Sequence, residues 1–258
     1  MGLNVLLIDA LNLIRRVDAA QRDILGRTAE AYPVDHHVQS VKRALKECTP
    51  THAVCVFEGQ GTCFRSQIYK EYKAGRQPMP QDLELSLPRI KDAFAELGVR
   101  SVEMDSLEAD DVIATLACKV ESRKGRVVIL STDKTFLQLL SGCVSVRDHF
   151  NKRYLDEAYV LDKFHIHPYQ LADLLALAGD PTNNIPGIPG VGLKTAARLL
   201  AECRSLENVL SQAPAMGTKL GQAIGKHEQD ALMFQGLLKL KKDIELGLNL
   251  QSFRYHPG

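Results

Sequence analysis

Asn4–Asp9 reads NVLLID, an unbroken apolar run that stops at a carboxylate. A strand covered on both faces has this form, because neither face meets water and the usual alternation is lost. Two further stretches repeat it: Thr51–Phe57 (THAVCVF), followed by Glu58, and Arg126–Ser131 (RVVILS), followed closely by Asp133. Arg100–Met104 is a fourth candidate strand, and helical spacing fills Val38–Cys48 and Leu107–Arg123. Strands alternating with helices over roughly the first 150 residues predict an α/β domain, its mainly parallel sheet flanked by helices. Ligands enter such sheets at the carboxyl ends of strands, and Asp9, Glu58 and Asp133 fall there.

Beyond Leu155 the character changes. From Asp156 onward the period is almost entirely helical, with short helices expected at Leu193–Cys203, Ser205–Leu210, Met216–Gly225 and His227–Leu240. The stretch PTNNIPGIPGVG, Pro181–Gly192, interrupts them. This divides the chain into an α/β domain at 1–160 and a helical region at 161–258. Glu58–Pro80 is polar, basic and proline-ended, with no apolar stripe, and reads as an excursion from the first domain.

With 258 residues, 45% hydrophobic, and a net charge of +1, the chain is globular rather than disordered and long enough to bury a sizeable core. It contains no run of ~18 apolar residues, so no membrane association is expected. The N-terminal MGLNVLLIDALNLIRR lacks the basic region and cleavage site of a signal peptide, and Leu6 breaks the myristoylation pattern; a cytoplasmic protein is expected. The six cysteines are scattered without a C-x-x-C pair, which argues against a zinc knuckle and a disulfide framework. A near-zero net charge leaves any nucleic-acid partner to be argued from local patches.

Three patches carry chemistry. The first is acidic: Glu108, Asp110 and Asp111 crowd the start of a helix, and Asp9, Glu58, Asp133 and Asp180 stand at other element ends. Carboxylates so close repel one another unless a cation neutralises them, and an all-oxygen set without His or Cys points to magnesium or manganese rather than zinc. Taken alone, the helix-start acids are equally what a macrodipole favours. The second is GIPGVG, Gly187–Gly192, ahead of Leu193–Lys194–Thr195. Leu193 stands where a phosphate-binding P-loop needs Lys, so a hairpin gripping a nucleic-acid backbone fits better than a nucleotide loop, with an ordinary Gly/Pro turn as the plainer alternative. The third is Phe64–Arg76, where basic residues interleave with Tyr69 and Tyr72, suited to phosphates and unpaired bases or else to a solvated amphipathic helix.

In their order, the blocks LLIDALNLIRR, VFEGQGTCFRSQIYKEYKAGRQPMP, LEADDVIATLA, ILSTDKTFLQLL and LALAGDPTNNIPGIPGVGLKTA resemble the bacterial 5′-nuclease family, which includes flap endonucleases and the 5′-nuclease domain of DNA polymerase I. The resemblance covers nearly the whole chain. It implies a PIN-like nuclease domain with an arch at about 61–80, and a helix–three-turn–helix hairpin at 185–195 in the helical region. It further implies a magnesium-dependent endonuclease (manganese as a possible substitute) that cuts DNA at 5′ single-strand flaps or junctions during replication or repair. No protein partner is implied.

Carried over by position, Asp9, Glu58, Glu108, Asp110 and Asp111 are similar to the family's first metal site, with Asp110 the direct ligand. Glu58 stands where the family usually has Asp. Asp133 and Asp180 resemble remnants of a second site whose other acids are replaced by Thr135 and Asn183. Lys73 and Arg76 are similar to arch residues that contact the scissile phosphate, with Tyr72 beside them on the DNA. The hairpin's potassium ion maps to the carbonyls of Leu177, Ala178, Pro186, Ile188 and Val191. Gly190, Val191, Gly192, Leu193, Lys194 and Thr195 map to the DNA-facing turn.

The thinned second site resembles the exonuclease IX branch. It also keeps open a flap- or junction-binding protein whose nuclease has decayed. An RNA nuclease of related fold is disfavoured by the hairpin, because A-form RNA presents a different phosphate geometry.

Overall fold

The computed structural model describes residues 2–25 and 33–256. Strand β1 (Asn4–Asp9) runs into helix α1 (Ala10–Leu25); α2 (Asp35–Cys48) then leads to β2 (His52–Phe57). A short α3 (Phe64–Ile68) and a long α4 (Gln81–Glu96) precede β3 (Arg100–Glu103), and α5 (Ala109–Glu121) returns the chain to β4 (Arg126–Leu130). Strands β5 (Val144–Asp148) and β6 (Arg153–Leu155) complete a sheet of order β3-β2-β1-β4-β5-β6, parallel throughout except for β6.

The apolar run of β1 supplies both faces of this sheet, because successive side chains point to opposite sides. Val5 and Leu7 pack with Val54, Ile129, Ile113 and Ala117 on one face; Leu6 and Ile8 pack with Ile14, Val41, Ile90 and Phe94 on the other. β1 has β2 on one side and β4 on the other, with Leu7 opposite Val54 and Ile129. The connections therefore diverge at β1 and β4, and the crevice at their carboxyl ends is the natural ligand position of an open α/β sheet.

The remainder is helical: α6 (Glu157–Phe164), α7 (Leu171–Ala178), α8 (Leu193–Cys203), α9 (Leu206–Gln212), α10 (Lys219–Lys226) and α11 (Glu228–Leu238). These helices extend the first core without a break, since Leu174, Leu200 and Phe234 belong to the same cluster as Val5 and Leu7. The chain end returns to the first half, where Tyr255 N donates to Thr51 O at 2.9 Å. No helix among the described residues is long and apolar enough to cross a membrane.

The four expected strands are present, trimmed by a residue at His52, Glu103 and Leu130. Helices α1 and α4 and strands β5 and β6 add to the expected set. The segment 61–80 departs most from its sequence reading. It carries no continuous apolar stripe, yet Arg65 and Tyr72 are buried and its backbone is docked, with Lys73 N donating to Asn183 O at 3.0 Å.

Candidate active site

Asp9 ends β1 at the crevice. Its carboxylate accepts Ser131 Oγ at 2.7 Å and, more weakly, Asn12 N at 3.3 Å. Ser131 Oγ in turn accepts Asp133 N at 3.0 Å, and Asn12 Oδ1 accepts Thr132 N and Oγ1, both at 3.0 Å. These bonds stitch the β1 and β4 exits together and bring Asp9 and Asp133 to one place. Glu58 joins from β2 by accepting Ala109 N at 3.3 Å from the first turn of α5. Gly59 permits this approach: a Cβ there would lie 1.8 Å from Met104 O. Asp110 comes from the same turn of α5.

Electrostatics tie these four together. Burial, with Asp133 and Glu58 nearby, pushes the Asp9 carboxyl up to about 7 against the pull of its Ser131 and Asn12 bonds. Asp110 is raised well above the usual range by burial and by Asp133, Asp9 and Glu108, with Lys73 opposing. Glu58 is raised by lost hydration and Glu108, again against Lys73. Asp110 accepts no hydrogen bond among the described residues. A carboxylate crowded by its own kind, without a donor, fits a hard divalent cation. No three such groups among the described residues close into a ready metal cage.

Glu108 and Asp111, expected with the ion, are held differently. Arg65 is 2% exposed and its guanidinium reaches both: Nη1 donates to Glu108 and to Asp111 at 2.6 Å, and Nη2 to Asp111 at 2.8 Å. Nε and Nη2 also bond Leu237 O at 2.7 Å and Lys239 O at 3.0 Å, satisfying carbonyls at the end of α11. Lys241 N takes the remaining position on Asp111 at 2.9 Å. Lys73 bonds the second oxygen of Glu108. Two acids already neutralised by a fixed guanidinium have little left to offer a metal ion, so they brace the site from behind.

The second set also has protein partners. Asp180 is fully buried; its oxygens take Lys134 Nζ at 2.9 Å, Thr182 N at 3.3 Å and Asn183 Nδ2 at 2.7 Å. Thr135 is buried, and Asn183 turns its Oδ1 toward Arg76 Nη2 at 3.3 Å. A lysine therefore occupies the charge position opposite Asp180. Asp133 caps the following turn by accepting Thr135 N at 2.7 Å and stays with Asp9.

On the arch, Lys73 adopts φ +58° and holds its ammonium over the Tyr72 ring, 5.0 Å from the centroid. Burial alone would lower its pKa; Asp110 and Glu108 outweigh that and raise it. Arg76 is exposed and keeps donors free toward solvent. Tyr72, expected beside the DNA, is 8% exposed with Lys73 over its ring, so the ring offers no open face.

In the hairpin, Gly179 and Gly187 cross at positive φ, and a Cβ on Gly187 would lie 2.3 Å from Gly179 N. This contact brings Ala178 and Pro186 together. The carbonyls of Leu177 and Ile188 each accept one bond, from Ile188 N at 2.8 Å and Val191 N at 3.0 Å, leaving each a second lone pair. Gly192 caps α8, so the N–H groups of Leu193, Lys194 and Thr195 point outward from its first turn. Gly190, Gly192, Leu193 and Lys194 are exposed, whereas the Val191 side chain is buried.

A model described as 5′-3′ exonuclease, N-terminal resolvase-like domain, matches residues 4–165. One described as 5′-3′ exonuclease, C-terminal SAM fold, matches 166–258. The chain belongs to the 5′-3′ exonuclease family. Relatives in the family include proteins named flap endonuclease Xni. That of Photobacterium profundum is 42% identical over 259 residues, covering 99% of this chain and 98% of the relative. That of Aeromonas hydrophila is 40% identical over 258 residues, covering 99% and 97%. The bacteriophage T5 flap endonuclease, solved in complex with DNA and metal ions, superposes with a TM-score of 0.76 at 22% identity, covering 92% of this chain and 89% of that one. It shares the fold.

Within this member of the family, sequence reasoning missed Arg65 and Lys134. Arg65 meets its acids across 43 and 46 residues and its carbonyls across 172 and 174. No local spacing signals such a partnership. Lys134 was visible only as the middle of the Asp133–Thr135 motif.

Proposed function

We propose that this family member is a magnesium-dependent, structure-specific 5′ flap endonuclease acting on DNA, with one divalent ion held by the protein. The observation that carries it is Asp110, a donorless carboxylate beside Asp9 and Asp133 and faced by Lys73. Asp9, Asp110 and Asp133, with Glu58 at the rim, are the residues that would hold the ion; manganese suits the same oxygens. An ion there supplies Lewis acidity toward a phosphodiester and a more acidic water. Lys73 and Arg76 place N–H groups where charge grows on the phosphate, and Lys73 is kept protonated by Asp110 and Glu108.

The hairpin and the α8 N-terminus hold duplex backbone. Their outward N–H groups and Lys194 bind phosphates, and carbonyls of Leu177, Ala178, Pro186, Ile188 and Val191 form a potassium position. Contacts of this kind make binding sequence-tolerant and salt-sensitive.

The Lys134–Asp180 pair favours a second reading, a junction binder without cleavage. Incubating a 5′-flap duplex with magnesium, beside binding of the same DNA in calcium with and without potassium, separates the two. Cleavage lost in Asp110→Ala supports the nuclease; tight potassium-dependent binding with no cleavage by the unmodified protein supports the binder. Matched RNA flaps should be cut far more slowly than DNA.

A further inference from the structure

Beside the carboxylate crevice lies a pocket of about 350 Å³ that shares Asp133 with the acidic cluster. Arg16 on α1, Lys134 after β4, Arg153 on β6 and Lys163 on α6 line it. Two carboxylates face these four cations, Asp133 and Asp148. Asp148 is already occupied, because Asn151 gives it its backbone N at 3.0 Å and its Nδ2 at 2.7 Å. Arg153 stays 3.8 Å from it, beyond hydrogen-bond reach.

Lys134 is taken by Asp180 and Arg153 has only the shared Asp148 at 3.8 Å, while Arg16 and Lys163 have no carboxylate within ion-pair distance among the described residues. Lys163 donates to Tyr159 OH at 2.7 Å and lies 5.2 and 5.4 Å from the Tyr159 and Phe164 ring centroids. Arg153 stacks 5.1 Å from Tyr159, and Arg16 lies 5.6 Å from Phe150. Aromatic faces orient cations but do not neutralise them. The pocket is thus lined by cations backed by the Tyr159 and Phe164 rings, with Leu137 and Leu155 also in its lining.

We propose that this pocket takes one nucleotide of the DNA strand that passes the metal cluster, its phosphate set among Arg16, Arg153 and Lys163. Small-ligand pockets run from ~300 to ~1,000 Å³. This one sits at the lower end, with room for a single nucleotide and none for a duplex. A free nucleoside monophosphate carries the same phosphate chemistry. The strand is favoured because the pocket opens on Asp133, so a backbone held at the cluster reaches it without leaving the protein. The proposal rests on the flap-nuclease reading.

The test is anisotropy of a labelled 5′-flap duplex in calcium over a range of salt, for the unmodified protein, Arg153→Ala and Lys163→Met. Both side chains are exposed, so melting temperature should hold. Each variant is expected to weaken binding about 3- to 10-fold and to lower the salt slope by ~0.7, the value of one single-strand phosphate contact. Single methylphosphonate linkages walked along the strand should find one position that weakens the unmodified protein but not a variant carrying both Arg153→Ala and Lys163→Met. Unchanged affinity and slope in both variants overturn the proposal. So does a walk with no sensitive linkage in which millimolar deoxynucleoside monophosphate protects Lys163 from acylation, which would assign the pocket to free nucleotide. An unmodified protein with no affinity for the flap overturns this proposal and the reading beneath it together; loss of the variant effect alone leaves that reading standing.

Discussion

Asp110 and Asp111 stand side by side at the start of α5, and the fold treats them oppositely. Asp111 is 1% exposed, with bonds from both terminal nitrogens of Arg65 and from Lys241 N. Asp110 has other carboxylates and Lys73 for neighbours and accepts no hydrogen bond among the described residues. A buried acid with a fixed protein cation contributes to architecture. One whose neighbours are mostly acids would be stabilised by a bound cation, the role proposed for Asp110. The same contrast separates Asp180, closed by Lys134, from Asp9.

The strongest way to break the comparison is to remove the fixed cation. Arg65→Met should cost about 3–5 kcal/mol by leaving two buried carboxylates uncompensated, read as a large fall in urea midpoint. Next is the acid that faces the ion. Asp110→Asn should reduce flap cleavage by about 10²–10³-fold while leaving flap binding in calcium and the melting temperature unharmed. If Asp111→Asn behaved as Asp110→Asn does, keeping stability and losing only cleavage, the division between the two would collapse.

A smaller effect concerns pH. The Asp9 carboxyl lies near 7 when folded against 3.8 as its ordinary value, so the folded state holds the extra proton between those limits. The stability it contributes is full at low pH and is lost as pH rises through that window. The metal-free protein should therefore melt higher at pH 5 than at pH 8, and saturating magnesium should shrink the gap by replacing the proton. Thermal scans at both pH values check this, with Asp9→Asn expected to narrow the gap and leave the share that Asp110 and Glu58 contribute.

The subtlest test sharpens the second contrast. Calorimetric titration with manganese should give one protein-held ion in the unmodified chain. Thr135→Asp with Asn183→Asp and Lys134→Met should raise that number toward two.

Much of this was legible early. The runs NVLLID, HAVCVF and RVVIL are apolar on both faces because the sheet is covered on both, and their exits carry Asp9, Glu58 and Asp133 into one crevice. β5 was less legible: VSVRD is short and ends in two charged residues, both buried by partners outside the strand. The arch misled for a similar reason. Arg65 and Tyr72 read as surface residues because burial of a guanidinium or a phenol depends on partners that only the tertiary fold brings near. Spacing told which acids were close; which acids already had a cation was written in residues far along the chain.

Arg65 also bears on how the protein is made. Its two backbone partners, Leu237 and Lys239, lie 172 and 174 residues further along, and Lys241 adds its N–H to Asp111. Synthesis runs from the N-terminus. Until residues 237–241 emerge from the ribosome, the helix that carries Asp110 lacks its brace. A chain cut before residue 237 would therefore keep Asp110 in its sequence without the backbone partners that hold Arg65 against its helix.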